Sequence, residues 1–265
     1  MLGGAELVEI TTTGDRVRAA GDKSRFVKEI EEALLAGDVD LAVHSAKDLP
    51  GELPSGLTIA SVPPRADPRD VLCGAGSIAS LPAGARVGTA SVRRRSQLLA
   101  IREDLEVVEL RGNVDTRLRR LADGDFDAIV LAAAGLERLG RLGEGVPVPV
   151  DAMTPAPGQG CLALEIRSGD SAARAAVERV SDPLASACLA AEREFVIALE
   201  ATCDTPVGAH AEVVDGDPSR LRLRAWAGAP DGSVWMRDQI EGGSEVGRVL
   251  AERMLAAGVA DVLAA

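Results

Sequence analysis

A short corner that occurs twice constrains the fold of this chain more than any other feature. Gly37-Asp38-Val39-Asp40 follows a helical pattern over 25–36, and Gly124-Asp125-Phe126-Asp127 follows a second one over 116–122. A glycine just after the last helical residue is a common way to end an α-helix. Each corner leads into an apolar run that is typical of a buried strand. The repetition predicts two similar α/β lobes, and chance similarity of so short a stretch is the alternative.

The sequence between and after these lobes predicts a hinge and a third domain. Two irregular segments that contain proline, 62–68 and 147–160, would carry the chain from one lobe to the other and back, which predicts a hinged cleft. From 183 onward a long helix precedes strands separated by tight turns, a pattern typical of an α+β domain. The predicted domain limits are 1–63 with 162–180 for the first lobe, 67–158 for the second lobe and 184–265 for the C-terminal domain. Further predicted elements are a strand over 7–12, strands over 38–43 and 128–131, a helix over 185–199, strands over 209–214, 221–227 and 234–239, and a helix over 246–257.

Composition excludes several classes of partner. The chain of 265 residues has a net charge of −12 and 2% aromatic residues, so it offers neither a broad basic surface for a phosphate backbone nor stacking platforms for bases. No apolar run approaches the ~20 residues of a transmembrane helix, and the first residues lack the pattern of a signal peptide. Four widely spaced cysteines and two histidines disfavour a metal site. We therefore expect a cytoplasmic, reduced protein that binds no nucleic acid, membrane or metal.

The end of the strand predicted over 38–43 carries a candidate site. Its apolar run stops on polar residues, among them Lys47 and Asp48, and Pro50 then prevents the strand from continuing. In α/β proteins ligands bind at the carboxyl ends of buried strands. A cation and a carboxylate there can hold an acidic ligand and move a proton, and a solvated surface corner is the alternative.

An arginine-rich segment points to an acidic ligand. Residues 86–120 contain nine arginines and five acidic residues, inside a chain that is acidic overall. Ser91 is a plausible N-cap of a helix, and Arg93 and Arg94 would then lie in its first turn, where cations oppose the helix dipole. An anionic ligand would offset that cost. We expect the same of Arg111 and Arg117, which follow a strand predicted over 106–110. Four helical arginines (Arg95, Arg102, Arg119 and Arg120) fit ordinary surface charges.

Taken together, several motifs make the chain similar to porphobilinogen deaminase, a family also called hydroxymethylbilane synthase. The resemblance runs in order from about residue 11 to the C-terminus. The matching stretches are Phe26-Val27-Lys28-Glu29-Ile30, Ala42-Val43-His44-Ser45-Ala46-Lys47-Asp48-Leu49-Pro50, Gly88-Thr89-Ala90-Ser91-Val92-Arg93-Arg94, Leu110-Arg111-Gly112-Asn113-Val114-Asp115-Thr116-Arg117-Leu118, Ala134-Gly135-Leu136-Glu137-Arg138-Leu139-Gly140, Pro157-Gly158-Gln159-Gly160 and Cys203-Asp204-Thr205-Pro206-Val207-Gly208.

The resemblance implies a fold and an activity. The fold would be two α/β lobes like those of periplasmic binding proteins, with a hinged cleft, followed by the C-terminal α+β domain. The activity would be the stepwise, head-to-tail condensation of four porphobilinogen molecules with loss of ammonia. The chain would grow on a dipyrromethane cofactor that is joined to Cys203 by a thioether, and hydrolysis would release the linear tetrapyrrole. The implied partners are porphobilinogen and the growing polypyrrole chain, bound to a monomer.

The resemblance also implies roles for single residues. Asp48 would be the catalytic carboxylate: protonated, it would help the amino group leave as ammonia, and ionised, it would stabilise the cation that remains. Besides Cys203 and Asp48, the cofactor would be held by Lys47, Thr89, Ser91, Arg93 and Arg94. Substrate carboxylates would be bound by Arg111, Arg117 and Arg138, with Phe26 stacking on the site and Lys23 on the same loop.

The chain departs from the family pattern at its start. The family has a strand and a helix upstream of Leu7, with a Thr-Arg…Ser motif that contacts carboxylates, and this sequence has no such motif. We therefore expect an incomplete first sheet. Two alternatives to a working enzyme stay open, a shortened homologue with impaired catalysis and a non-catalytic, two-lobed anion-binding protein. The second alternative would not need Cys203.

Overall fold

The computed structural model describes residues 4–10 and 24–265, with the side chains of 24–26 left out of the description. The helices are α1 (Ser24–Ala36), α2 (Val92–Ile101), α3 (Val114–Ala122), α4 (Ala133–Arg138), α5 (Ser171–Glu178), α6 (Pro183–Ala198), α7 (Val246–Ala256) and α8 (Val259–Ala264). The strands are β1 (Ala42–Ser45), β2 (Leu57–Ser61), β3 (Asp70–Cys73), β4 (Arg86–Gly88), β5 (Glu106–Val108), β6 (Ala128–Ala132), β7 (Val146–Pro147), β8 (Leu162–Arg167), β9 (Val207–Val214), β10 (Asp217–Gly228) and β11 (Trp235–Gly242). This mixture of helices and sheets confirms the predicted α/β class.

Two of the three sheets are connected by two segments of the chain that cross between them. Sheet I has the order β1-β8-β2 with antiparallel neighbours. Sheet II has the order β5-β4-β6-β3-β7, and its strand β4 is parallel to both neighbours, β5 and β6. The chain passes from sheet I to sheet II between Ser61 and Asp70 and returns between Pro147 and Leu162. These are the two places where the sequence predicts crossings, while the exact domain limits stay a prediction.

The C-terminal part is an antiparallel sheet covered by helices. Sheet III has the order β11-β10-β9, and α6 and α7 pack against it. Helix α6 packs against two hydrophobic cores. Its residues Ala185 and Leu189 pack against the core under sheet I, whereas Ala191 and Phe195 belong to the core under sheet III. An apolar contact therefore fixes sheet III to sheet I through one helix.

Sheet III reaches the lobe of sheet II through a hairpin turn. Ser96 of α2 is fully buried and its hydroxyl donates to the carbonyl of Ala229. Gly232 has φ +73°, and a Cβ there would lie 2.5 Å from the backbone nitrogen of Ala100 and 2.7 Å from the carbonyl oxygen of Ser96. Only glycine fits so close an approach of two backbones with a positive φ. The turn thus touches the helix that carries Arg93 and Arg94.

The glycines predicted to end two helices are confirmed, and the strand predicted near the start of the chain is wrong. Gly37 and Gly124 both have φ +82°, as a glycine that ends a helix requires. The strand predicted over 38–43 begins only at Ala42, because Gly37 and the residues that follow it form the turn. The strand predicted over 7–12 is wrong for residues 7–10, which form neither helix nor strand. Leu7 there is 98% exposed. A run of β-branched residues favours a strand, but side-chain packing and pairing with a neighbouring strand decide whether the strand forms. Residues 11 and 12 lie outside the described part of the chain.

Candidate active site

A cavity of about 420 Å³ lies where sheet I, α2 and the loop after α6 meet. It is lined by five of the residues that the sequence predicts for cofactor binding, Lys47, Ser91, Arg93, Arg94 and Cys203. These residues come from three distant parts of the chain. The fold therefore brings a thiol and several cations to one cavity, as the sequence predicts.

The strand end that carries Lys47 and Asp48 is held by the second crossing segment. Strand β1 leads directly into a 3-10 turn over Ala46–Asp48. The backbone nitrogen of Ala46 donates to the carbonyl of Cys161 at 3.0 Å, and a Cβ on Gly158 would lie 3.0 Å from the nitrogen of Lys47. Lys47 lines the cavity, whereas Asp48, the next residue, is half-buried and is not one of its lining residues. The catalytic role of Asp48 stays a prediction.

The start of α2 is capped as predicted. The Ser91 hydroxyl accepts a hydrogen bond from the backbone nitrogen of Arg94 at 3.4 Å, which satisfies one of the free donors of a helix N-terminus. The Thr89 hydroxyl in turn accepts from the nitrogen of Ser91 at 3.2 Å. Thr89 is buried and is not a lining residue of the cavity. Thr89 therefore stabilises the position of the Ser91 cap through this hydrogen bond.

Arg93 and Arg94 share a carboxylate that the sequence analysis missed. Both side chains are buried, and both bind Asp70, which is fully buried at the start of β3. Arg93 Nη1 lies 2.8 Å from Asp70 Oδ2, and Arg94 Nη2 lies 2.7 Å from Oδ1. We call these three residues the Asp70 cluster. The expectation that a ligand supplies the counter-charge of both arginines is thus corrected, because the protein supplies one carboxylate for the two guanidinium groups.

The electrostatics of the Asp70 cluster leave excess positive charge beside the cavity. Burial alone would raise the pKa of Asp70, but the nearby charges of Arg93 and Arg94 outweigh it and hold that pKa well below its usual range. Burial also lowers the pKa of Arg93, which Asp70 opposes. Among the described residues, Arg93 Nε is buried without a hydrogen-bond partner. An acidic residue at the start of the apolar run 70–73 was the sequence signal that could have revealed this cluster.

The second crossing segment joins the Asp70 cluster to the C-terminal domain. Gln159 Nε2 donates to Asp70 Oδ1 at 3.0 Å, and the Gln159 carbonyl accepts from Arg65 Nε at 3.0 Å. Arg65 Nη1 lies 2.6 Å from Oε1 of Glu192, which is fully buried in α6. We call Arg65 and Glu192 the Glu192 cluster. Gln159 therefore connects two buried ionic clusters, one in each half of the molecule.

Cys203 differs from the other cysteines in exposure and setting. It is exposed, and Cys73, Cys161 and Cys188 are buried. Burial raises the pKa of Cys161 to about 12 and that of Cys73 and Cys188 to about 11. Because the thiolate is the reactive form of cysteine, burial disfavours reaction at those three thiols at neutral pH. Cys203 alone among the four cysteines is presented to the cavity.

Hydroxyl groups shape the loop that presents Cys203. The backbone nitrogen of Thr202 donates to the Thr205 hydroxyl at 2.9 Å. The nitrogen of Asp204 donates to the Thr202 hydroxyl at 3.3 Å. Both bonds are local and close a tight turn around the cysteine. The sequence prediction of an exposed loop is confirmed here.

Comparison with known proteins places the chain in a family. Residues 2–175 match the family model "Porphobilinogen deaminase, dipyromethane cofactor binding domain", and residues 186–256 match "Porphobilinogen deaminase, C-terminal domain". The chain belongs to the porphobilinogen deaminase family. The resemblance inferred from the motifs is thereby confirmed.

Relatives in this family match nearly the whole chain. The porphobilinogen deaminase of Brevibacillus brevis is 45% identical over 269 residues, which cover 98% of this chain and 86% of that protein. The enzyme of Deinococcus radiodurans is 47% identical, with 97% and 87% covered, and that of Roseiflexus castenholzii is 49% identical, with 96% and 87% covered. Among solved structures, a TRAP periplasmic solute binding protein from Desulfovibrio salexigens covers 58% of this chain and 57% of its own, with a TM-score of 0.36 and 10% identity. A likeness that weak adds nothing to the family assignment.

Three arginines expected from the family motifs, Arg111, Arg117 and Arg138, do not line the cavity. Arg111 is exposed and its Nε donates to Glu109 Oε1 at 2.7 Å. Arg117 Nε donates to the Gly112 carbonyl at 2.7 Å, and burial lowers the Arg117 pKa, with a further contribution from Arg94. Arg138 ends α4 and bonds the Gly160 carbonyl at 3.2 Å. Lys23 lies outside the described residues, as does the side chain of Phe26.

In the ranges 4–10 and 24–265 no helix is long and apolar enough to cross a bilayer. Over the same ranges, no group of three or more histidine, cysteine or acidic side chains is arranged to hold a metal ion.

Proposed function

We propose that this member of the porphobilinogen deaminase family is a working hydroxymethylbilane synthase, a transferase that condenses four porphobilinogen molecules into a linear tetrapyrrole and releases it by hydrolysis. One observation carries the proposal. An exposed cysteine in a tight loop faces a cavity that Lys47, Arg93 and Arg94 also line. A non-catalytic anion-binding protein would need the cations and would have no use for the thiol.

The described residues fit a covalently attached dipyrromethane. Each of its pyrrole rings carries two carboxylates, and the cavity offers an exposed thiol for a thioether together with more guanidinium groups than carboxylates. Arginine is suited to carboxylates because its planar fork can donate two parallel hydrogen bonds. When bound, dipyrromethane would supply the pyrrole carbon on which the product chain is extended. Cys203 would anchor it, and Lys47, Ser91, Arg93 and Arg94 would hold its acid groups, with Thr89 supporting Ser91.

Asp48 would handle the proton at each condensation. Its carboxyl group would give a proton to the amino nitrogen of porphobilinogen while the carbon–nitrogen bond breaks, and the electron pair of that bond would leave with ammonia. The carboxylate that remains would stabilise the positive charge left on the pyrrole unit. Repetition of this step needs cations for the carboxylates of each new unit. We assign that role to Arg111, Arg117 and Arg138, and the family motifs add Phe26 and Lys23 as further substrate-binding residues.

We further infer a monomer that works in the cytoplasm. No disulfide joins any of the four cysteines, all of which lie in the described part of the chain, and three of them are buried. Secreted proteins of this size commonly carry disulfides, whereas cytoplasmic thiols stay reduced. A reactive Cys203 requires such a reducing compartment.

Substitution of Asp48 tests the proposed chemistry. Asp48→Ala should lower the rate of hydroxymethylbilane formation about a hundredfold or more, since general acid catalysis contributes on that scale, and should leave Tm nearly unchanged. Asp38→Ala is the matched control, because Asp38 is an exposed carboxylate of the same lobe. Formation of hydroxymethylbilane by Asp48→Ala at the wild-type rate would remove Asp48 from the mechanism.

A further inference from the structure

Two residues of the second crossing segment are held by a side chain of α2. Thr154 and Pro155 are buried and lie in neither helix nor strand. Gln97 of α2 is 1% exposed and bonds both backbone groups of Thr154. Its Nε2 donates to the Thr154 carbonyl at 2.9 Å, and its Oε1 accepts from the Thr154 nitrogen at 2.7 Å. Because a buried backbone donor outside regular structure needs a partner, Gln97 fixes the position of Thr154.

Arg93 uses the same carbonyl as Gln97. Its Nη1 donates to the Thr154 oxygen at 2.7 Å and to Asp70 Oδ2 at 2.8 Å. Arg93 and Gln97 are four residues apart on α2, so their side chains lie on one face of the helix. A carbonyl oxygen has two lone pairs, which these two side chains occupy. The direction of the Arg93 guanidinium group therefore depends on where Gln97 holds Thr154.

The same two residues touch the strand that follows the Cys203 loop. The backbone nitrogen of Ala209 in β9 donates to the Pro155 carbonyl at 3.0 Å. A Cβ on Gly208 would lie 2.7 Å from the Thr154 oxygen and 3.1 Å from the Pro155 oxygen, so a side chain there would displace the segment. Residues 154–155 therefore lie between Arg93 on one side and the strand that continues from Cys203 on the other.

We infer that Gln97 is a positioning residue: by holding Thr154, it sets the separation between Arg93 and the strand that begins after the Cys203 loop. The inference rests on the proposed function, since it takes Cys203 and Arg93 as two contacts of one ligand. A ligand joined to the cysteine can meet Arg93 only at the right separation, and a misplacement of about 1 Å can cost about a hundredfold in rate. Gln97 does not line the cavity, so it acts through Arg93.

The test follows loading of the whole chain. Protein made in cells that lack porphobilinogen is mixed with porphobilinogen, and its intact mass is recorded over time. Gln97→Met keeps the length of the side chain and removes both hydrogen bonds, so it should load about tenfold or more slowly. Ser96→Ala is the matched control, because Ser96 is the fully buried neighbour on α2 whose hydroxyl donates to Ala229 instead. It should lower Tm to a similar extent and load within about twofold of the wild-type rate. Loading of Gln97→Met at the rate of Ser96→Ala would overturn the inference.

A double-mutant cycle separates positioning from general support of the fold. If Gln97 acts through Arg93, adding Gln97→Met to Arg93→Met should slow loading by less than about twofold beyond Arg93→Met alone, because the residue that Gln97 positions is already lost. Two independent roles would multiply their effects on the loading rate. That outcome would contradict the inference.

A variant in sheet III tests the same connection from the opposite side. Gly208→Ala places a Cβ against the Thr154 oxygen, so it should also load about tenfold or more slowly, and it replaces Gln97→Met if that variant does not fold. Loading of Gly208→Ala at the wild-type rate would show that the position of Thr154 does not matter. A wild-type chain that never gains mass would contradict the proposed function itself, whatever Gln97 does.

Discussion

The Asp70 cluster and the Glu192 cluster are both buried pairings of arginine with a carboxylate, and they differ in charge balance. Asp70 faces two guanidinium groups, those of Arg93 and Arg94. Glu192 faces one, that of Arg65, and its remaining acceptor positions are filled by backbone nitrogens. Both carboxylates are fully buried. Burial alone would raise the pKa of Glu192, but Arg65, with His210 close by, lowers it to about 2.

The difference separates a structural cluster from a functional one. The Glu192 cluster is balanced and lies where both crossing segments meet the C-terminal domain, so its role is to hold three parts of the chain together. The Asp70 cluster has one cation in excess, and both of its arginines line the cavity. A surplus positive charge is useful only where an anion binds. Three experiments can break or sharpen this distinction.

The largest loss of stability is expected when Arg65, the guanidinium partner in the Glu192 cluster, is replaced. Arg65→Met leaves a buried carboxylate without a counter-charge, which should lower the free energy of unfolding by about 3–5 kcal/mol. Urea denaturation measures this change. The control is Arg248→Met, because the pair of Arg248 with Glu252 is exposed and such pairs contribute about 0–1 kcal/mol. Equal losses in the two variants would show that the Glu192 cluster is not structural.

The pH dependence of stability should report the same cluster. The pKa of Glu192 falls from its ordinary 4.5 to about 2 on folding, so its contribution is present above pH 4.5 and is lost as the pH falls towards 2. The difference in unfolding free energy between the wild type and Glu192→Gln should therefore be large near pH 5–6 and shrink below 4.5. Asp70 is present in both proteins, so its titration cancels. A difference that stays constant down to pH 2.5 would contradict the assignment.

A smaller loss of stability is expected in the Asp70 cluster. Arg94→Met leaves Asp70 paired with Arg93 at 2.8 Å, so the free energy of unfolding should fall by only about 1–2 kcal/mol, the worth of the lost hydrogen bonds. The same variant should load its cofactor more slowly than the wild type, as intact mass can show. If Arg94→Met destabilises the fold as much as Arg65→Met and loads normally, the two clusters do not differ in kind.

Local features of this fold could be predicted from the sequence, and long-range pairings could not. The glycines that end α1 and α3, the Ser91 cap and the exposed Cys203 loop each depend on residues within a few positions of one another. Asp70 is 23 residues from Arg93, and Arg65 is 127 residues from Glu192. No pattern in a single sequence connects such positions, because the contacts arise from how the lobes pack.

The same reason explains which site residues were found and which were missed. Arg93 and Arg94 stood out because two cations opened a helix, where they oppose its dipole. Arg193 lies in the interior of a long helix, where a charged residue is ordinary, so only its place in the cavity draws attention to it. The cavity that Arg193 lines exists only in the folded chain.

The most direct test of this account is the intact mass of the wild-type chain and of Cys203→Ala after exposure to porphobilinogen. We predict that the wild type gains the mass of two pyrrole units, that peptide mapping places them on Cys203, and that Cys203→Ala gains nothing. Labelling of a buried cysteine, or a wild-type chain that stays unmodified, would contradict the proposal that the excess cations at this cavity hold a primer anchored on Cys203.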